Sequence, residues 1–255
     1  MATAAAVTNP NLKLREVSVV EPSLSKYASA DLLNEYFDAM SKSLGPMRWW
    51  PAKTRFEVIV GAILTQNTAW TNVKLALENL RGEKLLNPNA MATVRESTLA
   101  RLVKPSGYFR QKAKKLKAFL NFLESEYQGS LKSMFQENTA SLREKLLRVH
   151  GIGPETADSI LLYAGRHPVF VVDAYTKRLL SRHGVLPEDS TYDEVQQHFM
   201  QNLGLNESQF NEYHALIVNV GKRWCRAREP RCAECPLFKF LPQEALLTHP
   251  VGVRP

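Results

Sequence analysis

Hydrophobic residues recur at helical spacing through most of this chain from Ala30 onward. Around residues 151–154, apolar positions three or four apart form one face before the segment and another after it: Leu142, Leu146 and Val149, then Ala157, Ile160, Leu161 and Ala164. Gly and Pro interrupt the pattern at residues 45–46, 87–88, 104–107 and 151–154. The apolar run at residues 168–172 is short and leads into a helix. The pattern therefore predicts an all-α chain.

The two ends of the chain lack this periodicity. Residues 1–28 are predicted to form a flexible tail, and residues 242–255 a C-terminal tail. Because the sequence shows neither the apolar stretch of a secretory signal nor a run long enough to span a membrane, we expect an intracellular, cytoplasmic protein with no membrane partner. With 255 residues and 44% hydrophobic content, the chain can bury one large core or two modest ones.

The net charge of +8, spread along the chain, indicates a polyanionic partner, of which nucleic acid is the commonest. Charge alone fits a merely basic soluble protein equally well. The segment from His150 to Ala157 is more specific, because it joins two predicted helices through Gly151 and Gly153. These glycines allow a tight hairpin whose N–H groups point outward at the start of a helix, where a phosphate oxygen can bind.

Asp173 follows twenty positions after Gly153, at the start of the helix predicted for residues 174–182. Asp is favoured as an N-cap at such a position, and a helix N-terminus keeps a carboxylate ionised. A fixed carboxylate can also stabilise the positive charge that develops on a sugar while an N-glycosidic bond breaks. The structural and the catalytic interpretation of Asp173 are compatible.

The region from about residue 49 to residue 235 resembles the endonuclease III lineage of helix-hairpin-helix DNA glycosylases. The resemblance implies a two-domain fold with a cleft between a six-helix barrel, residues 48–166, and a domain made of residues 29–47 and 167–241. It implies a catalytic carboxylate at Asp173 and a DNA-gripping hairpin at Gly151, Gly153 and Thr156. A grip on the backbone positions the enzyme without selecting a base.

Glu155 departs from the pattern of the bifunctional members, which carry a lysine at this position whose amine attacks the sugar and then nicks the strand. Because a carboxylate cannot form a Schiff base, we expect base removal without strand cleavage.

Two further segments are candidates for DNA contact. Similar glycosylases place a polar side chain from the turn at Gln66 and Asn67 into the hole that a flipped nucleotide leaves, and an amide suits that role; a helix cap and turn is the alternative. The loop at Gly107 and the helix with Lys112 supply a phosphate contact in the family, although a solvated surface helix explains the lysines equally well.

Trp49, Trp50 and Trp70 flank this same turn and the helix before it. The arrangement resembles the 3-methyladenine DNA glycosylase III branch. A purine alkylated at N3 or N7 is cationic, so an aromatic slot binds it by stacking and cation–π attraction. Such a base leaves with little protonation. Core packing is the alternative role for each tryptophan.

All three cysteines, Cys225, Cys232 and Cys235, have the spacing of the [4Fe–4S] site of the endonuclease III lineage, but Leu241 occupies the fourth position. A cluster normally needs four thiolates, so an intact one requires another ligand: His249, Glu244 or solvent. We expect a [4Fe–4S] cluster on the three cysteines with an unidentified fourth ligand, ahead of a decaying site without metal, which would look the same, and ahead of zinc, which the spacing favours less. His214, in the preceding helix, is predicted to be a packed residue.

The sequence therefore predicts a monomeric, monofunctional DNA glycosylase of base excision repair that acts on double-stranded DNA and releases an alkylated purine resembling 3-methyladenine. Three alternatives stay open. One is a bifunctional lyase that uses another amine, such as Lys145 or Lys222. The second is a glycosylase for mismatched thymine, uracil or adenine. The third is an inactive module that binds lesions or DNA.

Overall fold

The computed structural model describes residues 30–47, 49–50 and 52–242, and these residues are all-α as predicted. They form twelve α-helices: α1 (Ala30–Leu44), α2 (Arg55–Leu64), α3 (Trp70–Gly82), α4 (Pro88–Thr93), α5 (Glu96–Leu102), α6 (Phe109–Tyr127), α7 (Leu131–Met134), α8 (Thr139–Arg148), α9 (Pro154–Ser159), α10 (Ala174–Arg182), α11 (Tyr192–Leu203) and α12 (Glu207–Arg223). Helix α9 continues as a π-helical segment, Ile160–Gly165. The predicted tail at residues 1–28, and residues 243–255 of the other tail, lie outside the described residues.

Helix α2 lies at the centre of the core. Its residues 56–64 are all buried, and it packs against α3, α6 and α9. A helix that is apolar on every side must be enclosed by other helices. Thr54 begins α2 by accepting a hydrogen bond from the Glu57 backbone N–H at 3.1 Å. The buried Glu57 carboxylate is paired with Arg81 at 2.5 Å.

Helix α1 packs against α11 and α12, so the N-terminal helix joins helices from the other end of the chain. The Tyr213 hydroxyl donates to the Leu33 carbonyl at 2.7 Å, and the Tyr36 hydroxyl lies 3.0 Å from His183 Nδ1. The division into residues 48–166 and residues 29–47 with 167–241 stays a prediction. In the described part of the chain, none of the helices is long and apolar enough to cross a membrane.

A fully buried carboxylate joins the hairpin helices to α11. Asp158, on α9, accepts hydrogen bonds from Arg143 Nε at 2.8 Å, from the Tyr192 hydroxyl at 2.8 Å and from Gln196 Nε2 at 2.7 Å. The Gln196 amide also donates to the Phe170 carbonyl at 2.6 Å. Because a buried charge needs such partners, these bonds fix α9 and the segment before Asp173 in one orientation.

We expect Asp158→Ala to lower the free energy of unfolding by about 3 kcal/mol or more, since it leaves the partly buried guanidinium of Arg143 without its main partner. Urea unfolding measures this change. Arg148→Ala is the matched control: it breaks an exposed ion pair with Glu144 within α8 and should cost much less. Equal costs for the two variants would contradict the structural role of Asp158.

Candidate active site

The turn between α8 and α9 is the predicted hairpin. Gly151 has a φ of +81°, and a Cβ there would lie 2.4 Å from Lys115 Cγ, so both the backbone and the space require glycine. Gly153 has an extended backbone and caps α9, and a Cβ there would meet nothing within 4 Å. The buried Ile152 anchors the turn. The open face at Gly153 leaves room for a DNA backbone to approach the start of α9.

The structure separates the two candidates for the wedge. Gln66 Nε2 donates to the Gly151 carbonyl at 3.0 Å and to Thr156 Oγ1 at 2.9 Å, and its Oε1 accepts from Lys115 Nζ at 2.5 Å. Gln66 and the buried Thr156 therefore bind the turn after α2 to the hairpin. Asn67 has a left-handed backbone, φ +53°, and lines the cleft described below. Of the two amides, Asn67 is the one at the cleft.

Asp173 caps α10 at the end of the buried residues 169–172. Its Oδ1 accepts from the Thr176 backbone N–H at 2.8 Å and from Thr176 Oγ1 at 3.0 Å. Its Oδ2 lies 3.5 Å from His214 Nε2, and only 12% of the Asp173 side chain is exposed. His214 Nδ1 in turn lies 2.5 Å from the Tyr163 hydroxyl. The carboxylate is thus fixed from two sides.

This environment keeps Asp173 charged. Burial alone would raise the pKa of its carboxyl, but the charge of His214 and the hydrogen bonds from Thr176 hold the pKa below its usual value. Sequence reasoning assigned His214 only to packing. No signal in the sequence could reveal the contact, because it joins the start of α10 to the middle of α12.

A cleft of about 950 Å³ opens in front of Asp173. Its walls include all three predicted tryptophans: Trp49, Trp50 and Trp70. Trp50 stacks on Tyr163 with centroids 4.9 Å apart and meets Trp70 edge to face at 5.2 Å. A Cβ on Gly61 of α2 would come within 3.3 Å of both Trp50 and Trp70. The tryptophans therefore pack on the core and line the cleft at once.

Glu155 lines the same cleft. Burial raises the pKa of its carboxyl and the negative charge of Asp173 raises it further, while His214 acts in the opposite direction. In the sequence analysis, Glu155 was used only to argue that the lysine of the bifunctional members is missing. The structure shows that its carboxyl group lines the same cleft as that of Asp173.

Lys112 requires a correction. Its side chain is 2% exposed, and its amine donates to the Leu64 carbonyl at 2.9 Å and to the Ser106 carbonyl at 2.6 Å. Burial, followed by the charge of Lys115, lowers the pKa of Lys112 to about 8. The amine faces inward and joins the loop to α2, so the predicted phosphate contact is not open to it. Gly107 is exposed, with φ +70°, and its DNA contact stays a prediction.

The three cysteines line one small cavity, about 10 Å³, together with Leu237 and Leu241. Burial raises the pKa of Cys235 to about 11. Among the residues that the structure describes, no group of three or more His, Cys, Asp or Glu side chains is arranged to hold a metal ion. The predicted alternative ligands, Glu244 and His249, lie outside the described residues. Leu241, which occupies the sequence position of the fourth cysteine, lines this cavity with a hydrocarbon side chain. The described residues therefore supply three thiolates and do not fit a four-thiolate cluster.

Arginines hold the cysteine loop through its carbonyl groups. Arg182 donates to the Arg226 carbonyl at 2.6 Å and to the Ala227 carbonyl at 3.1 Å, and Arg182 Nη1 lies 3.4 Å from Cys225 Sγ. Arg178 Nε donates to the Cys225 carbonyl at 2.8 Å. These contacts hold the backbone of the loop against α10.

A comparison with protein families identifies the class. The family model described as "HhH-GPD superfamily base excision DNA repair protein" matches residues 60–204. The chain belongs to this superfamily, and it is a DNA glycosylase of the base excision repair type. The expected relationship to helix-hairpin-helix, endonuclease III-like glycosylases is confirmed.

Individual relatives agree with this assignment. A candidate DNA repair glycosylase of Methanocaldococcus jannaschii is 44% identical over 212 residues, which are 82% of this chain and 96% of the relative. Endonuclease III of Rickettsia prowazekii is 27% identical over 83% of this chain and 94% of its own.

Two solved structures have the same fold. The 3-methyladenine DNA glycosylase MagIII of H. pylori, bound to 1,N6-ethenoadenine, has a TM-score of 0.67 at 33% identity and covers 76% of this chain and 97% of its own. A trapped covalent intermediate of endonuclease III with DNA has a TM-score of 0.73, covering 86% and 98% of the two chains. Its 21% identity supports the fold alone.

Proposed function

We propose that this protein is a monofunctional DNA glycosylase that removes alkylated purines, such as 3-methyladenine, from double-stranded DNA. One observation carries the proposal: the buried carboxylate of Asp173 and three tryptophans share a single cleft beside the hairpin. The acceptance of a modified purine by the H. pylori relative, bound to 1,N6-ethenoadenine, supports it.

The proposed reaction uses Asp173 on the sugar. As the bond between C1′ and the base breaks, the electron pair leaves with the base and positive charge develops on the sugar. The fixed carboxylate stabilises that charge without reorganising and accepts a proton from the water that adds to C1′. An alkylated purine that is already cationic leaves as a neutral base, so this step needs no acid to protonate the base.

The proposed substrate specificity comes from the aromatic walls. Trp50 is held between Tyr163 and Trp70, and such preformed surfaces stack on a flipped base at little entropic cost. A cationic base gains cation–π attraction as well. Gly151 and Gly153 are proposed to grip the phosphates, and Asn67 to fill the space that the base leaves.

One observation favours a second candidate function. Lys222 lines the cleft, with its amine 5.6 Å from the ring centroid of Trp49. Burial lowers the pKa of Lys222, although Asp173 acts against this. A bifunctional enzyme could use this amine as its nucleophile. Lys145 is a weaker candidate, because its amine lies 3.0 Å from the carboxylate of Glu137.

We expect wild-type protein to release 3-methyladenine or 7-methylguanine from methylated duplex DNA. Asp173→Asn should slow this release about 100-fold or more, since the amide carries no charge to stabilise the sugar cation. Chromatography of the freed bases measures the rates. DNA binding by the variant, followed by gel shift, should persist because the phosphate grip lies elsewhere. Full activity in Asp173→Asn would falsify the proposal.

Borohydride trapping distinguishes the two candidates. We expect no covalent complex between wild-type protein and DNA, and a complex with Glu155→Lys, which restores the lysine of the bifunctional members. A wild-type complex that disappears in Lys222→Met would instead establish the bifunctional mechanism.

The activity should also depend on pH through His214. Asp173 must be ionised, so the rate falls as the pH drops through its lowered pKa. His214→Ala removes the charge that lowers this pKa, so the acidic limb of the profile should move to higher pH. His198→Ala, which changes a histidine outside the cleft, is the control. An unmoved limb would show that His214 does not act on Asp173.

We further propose that the loop with the three cysteines folds without an iron–sulfur cluster. Protein purified under anaerobic conditions should contain far less iron and sulfide than a [4Fe–4S] cluster requires, and an iron chelator should leave the melting temperature unchanged. Stoichiometric iron and sulfide, with a fall in melting temperature on chelation, would overturn this proposal.

A further inference from the structure

The cleft contains a carboxyl group that the proposed reaction does not use. Glu155 follows the hairpin on α9, and Asp173 begins α10, yet both line the space where the base is proposed to lie. His214 and the tryptophans line it too. Enzymes that need both an acid and a base often place two carboxyl groups at one substrate site.

The two carboxyl groups have opposite surroundings. Asp173 accepts two hydrogen bonds from Thr176 and faces His214. Glu155 is exposed at the cleft, and within the described part of the chain no hydrogen bond or ion pair from another side chain reaches its carboxyl. Hydrogen bonds from the protein hold Asp173 in its charged form, whereas the Glu155 carboxyl can exchange its proton with solvent.

The surroundings of Glu155 act on its pKa in both directions. Desolvation by the surrounding protein raises the pKa of Glu155, the negative charge of Asp173 on α10 raises it further, and His214 on α12 lowers it. The remaining charged groups of the cleft are Arg178 on α10, and Lys222 and Arg226 at the end of α12 and beyond. The pKa of Asp173, in contrast, is lowered. The pKa values of the two carboxyl groups in the cleft are therefore shifted in opposite directions.

Building on the function proposed above, we propose that Glu155 is a general acid that protonates the departing base, and that the substrates therefore include uncharged purine lesions. A cationic alkylpurine leaves without help, but a neutral purine is a poor leaving group until a ring nitrogen is protonated. A site restricted to cationic bases has no need of an acid in this place.

The step balances as a hydrolysis. The bond from C1′ to the purine breaks and its electron pair goes to the base, while the proton of the Glu155 carboxyl moves to a ring nitrogen. Water adds to C1′, and Asp173 accepts the proton that this water loses. Asp173 then returns a proton to solvent, and solvent reprotonates Glu155.

The test compares two substrates. Duplex DNA with a single 1,N6-ethenoadenine reports release of an uncharged base, and methylated duplex DNA reports release of cationic 3-methyladenine, both under single-turnover conditions. In Glu155→Gln, which has the same shape but no proton to give, the ratio of the neutral to the cationic rate should fall about 100-fold. Glu188→Gln, an exposed carboxyl in the loop before α11, should leave the ratio unchanged.

A second readout needs no variant. In wild-type protein the ratio of the two rates should fall tenfold per pH unit once Glu155 deprotonates, because only the neutral base requires the acid. In Glu155→Gln the ratio should not change with pH. This measurement remains available if the variant folds poorly.

The outcomes separate this inference from the proposed function. Wild-type release of 3-methyladenine without any release of ethenoadenine overturns the inference alone, as does an equal slowing of both substrates in Glu155→Gln. Failure of the wild type to release either base overturns the proposed function and the inference together. The proposed function and the inference are both supported if the wild type releases both bases. In that case Asp173→Asn should be slow on both substrates, and Glu155→Gln should be slow mainly on ethenoadenine.

Discussion

The organisation of this protein follows from one constraint: a carboxylate must stay charged although almost all of it is buried. Water cannot solvate Asp173 well, so the protein supplies the solvation through the backbone N–H and the hydroxyl of Thr176 at the start of α10 and through His214. The cap that begins a helix and the proposed catalytic group are thus the same side chain. Its position can vary no more than the helix can.

The parts proposed to meet DNA are connected to this carboxylate by polar bridges rather than by packing alone. Gln66 joins the turn with Asn67 to the hairpin. Asp158 joins the hairpin helices to α11, and Gln196 of α11 donates to the carbonyl of Phe170, three residues before Asp173. The hairpin, the turn with Asn67 and the Asp173 carboxylate, which come from distant parts of the sequence, are therefore held at fixed distances from one another. The proposed function depends on these distances, because a flipped nucleotide must reach the carboxylate while its neighbours stay bound.

Much of this could be predicted from the sequence, and the exceptions share a cause. Apolar spacing and Gly–Pro breaks predicted the helices around residues 142–164, and Asp173 was placed correctly at the start of α10. The positions of the three tryptophans, together with the family resemblance, also predicted the tryptophan-lined wall. Lys112 was assigned to the surface, Gln66 was not separated from Asn67, and His214 was assigned to packing. In each case the decisive contact joins residues distant in sequence, and helical periodicity carries no record of which polar atom a long side chain will reach.

The absence of a side chain at Gly61 has a consequence for the shape of the cleft. Gly61 lies in the buried helix α2, and the indoles of Trp50 and Trp70 pack directly against it. A single methyl group at this position would force both indoles to move by a few tenths of an ångström. The shape of the proposed base pocket therefore depends on a residue of the core as well as on the residues that line the cleft.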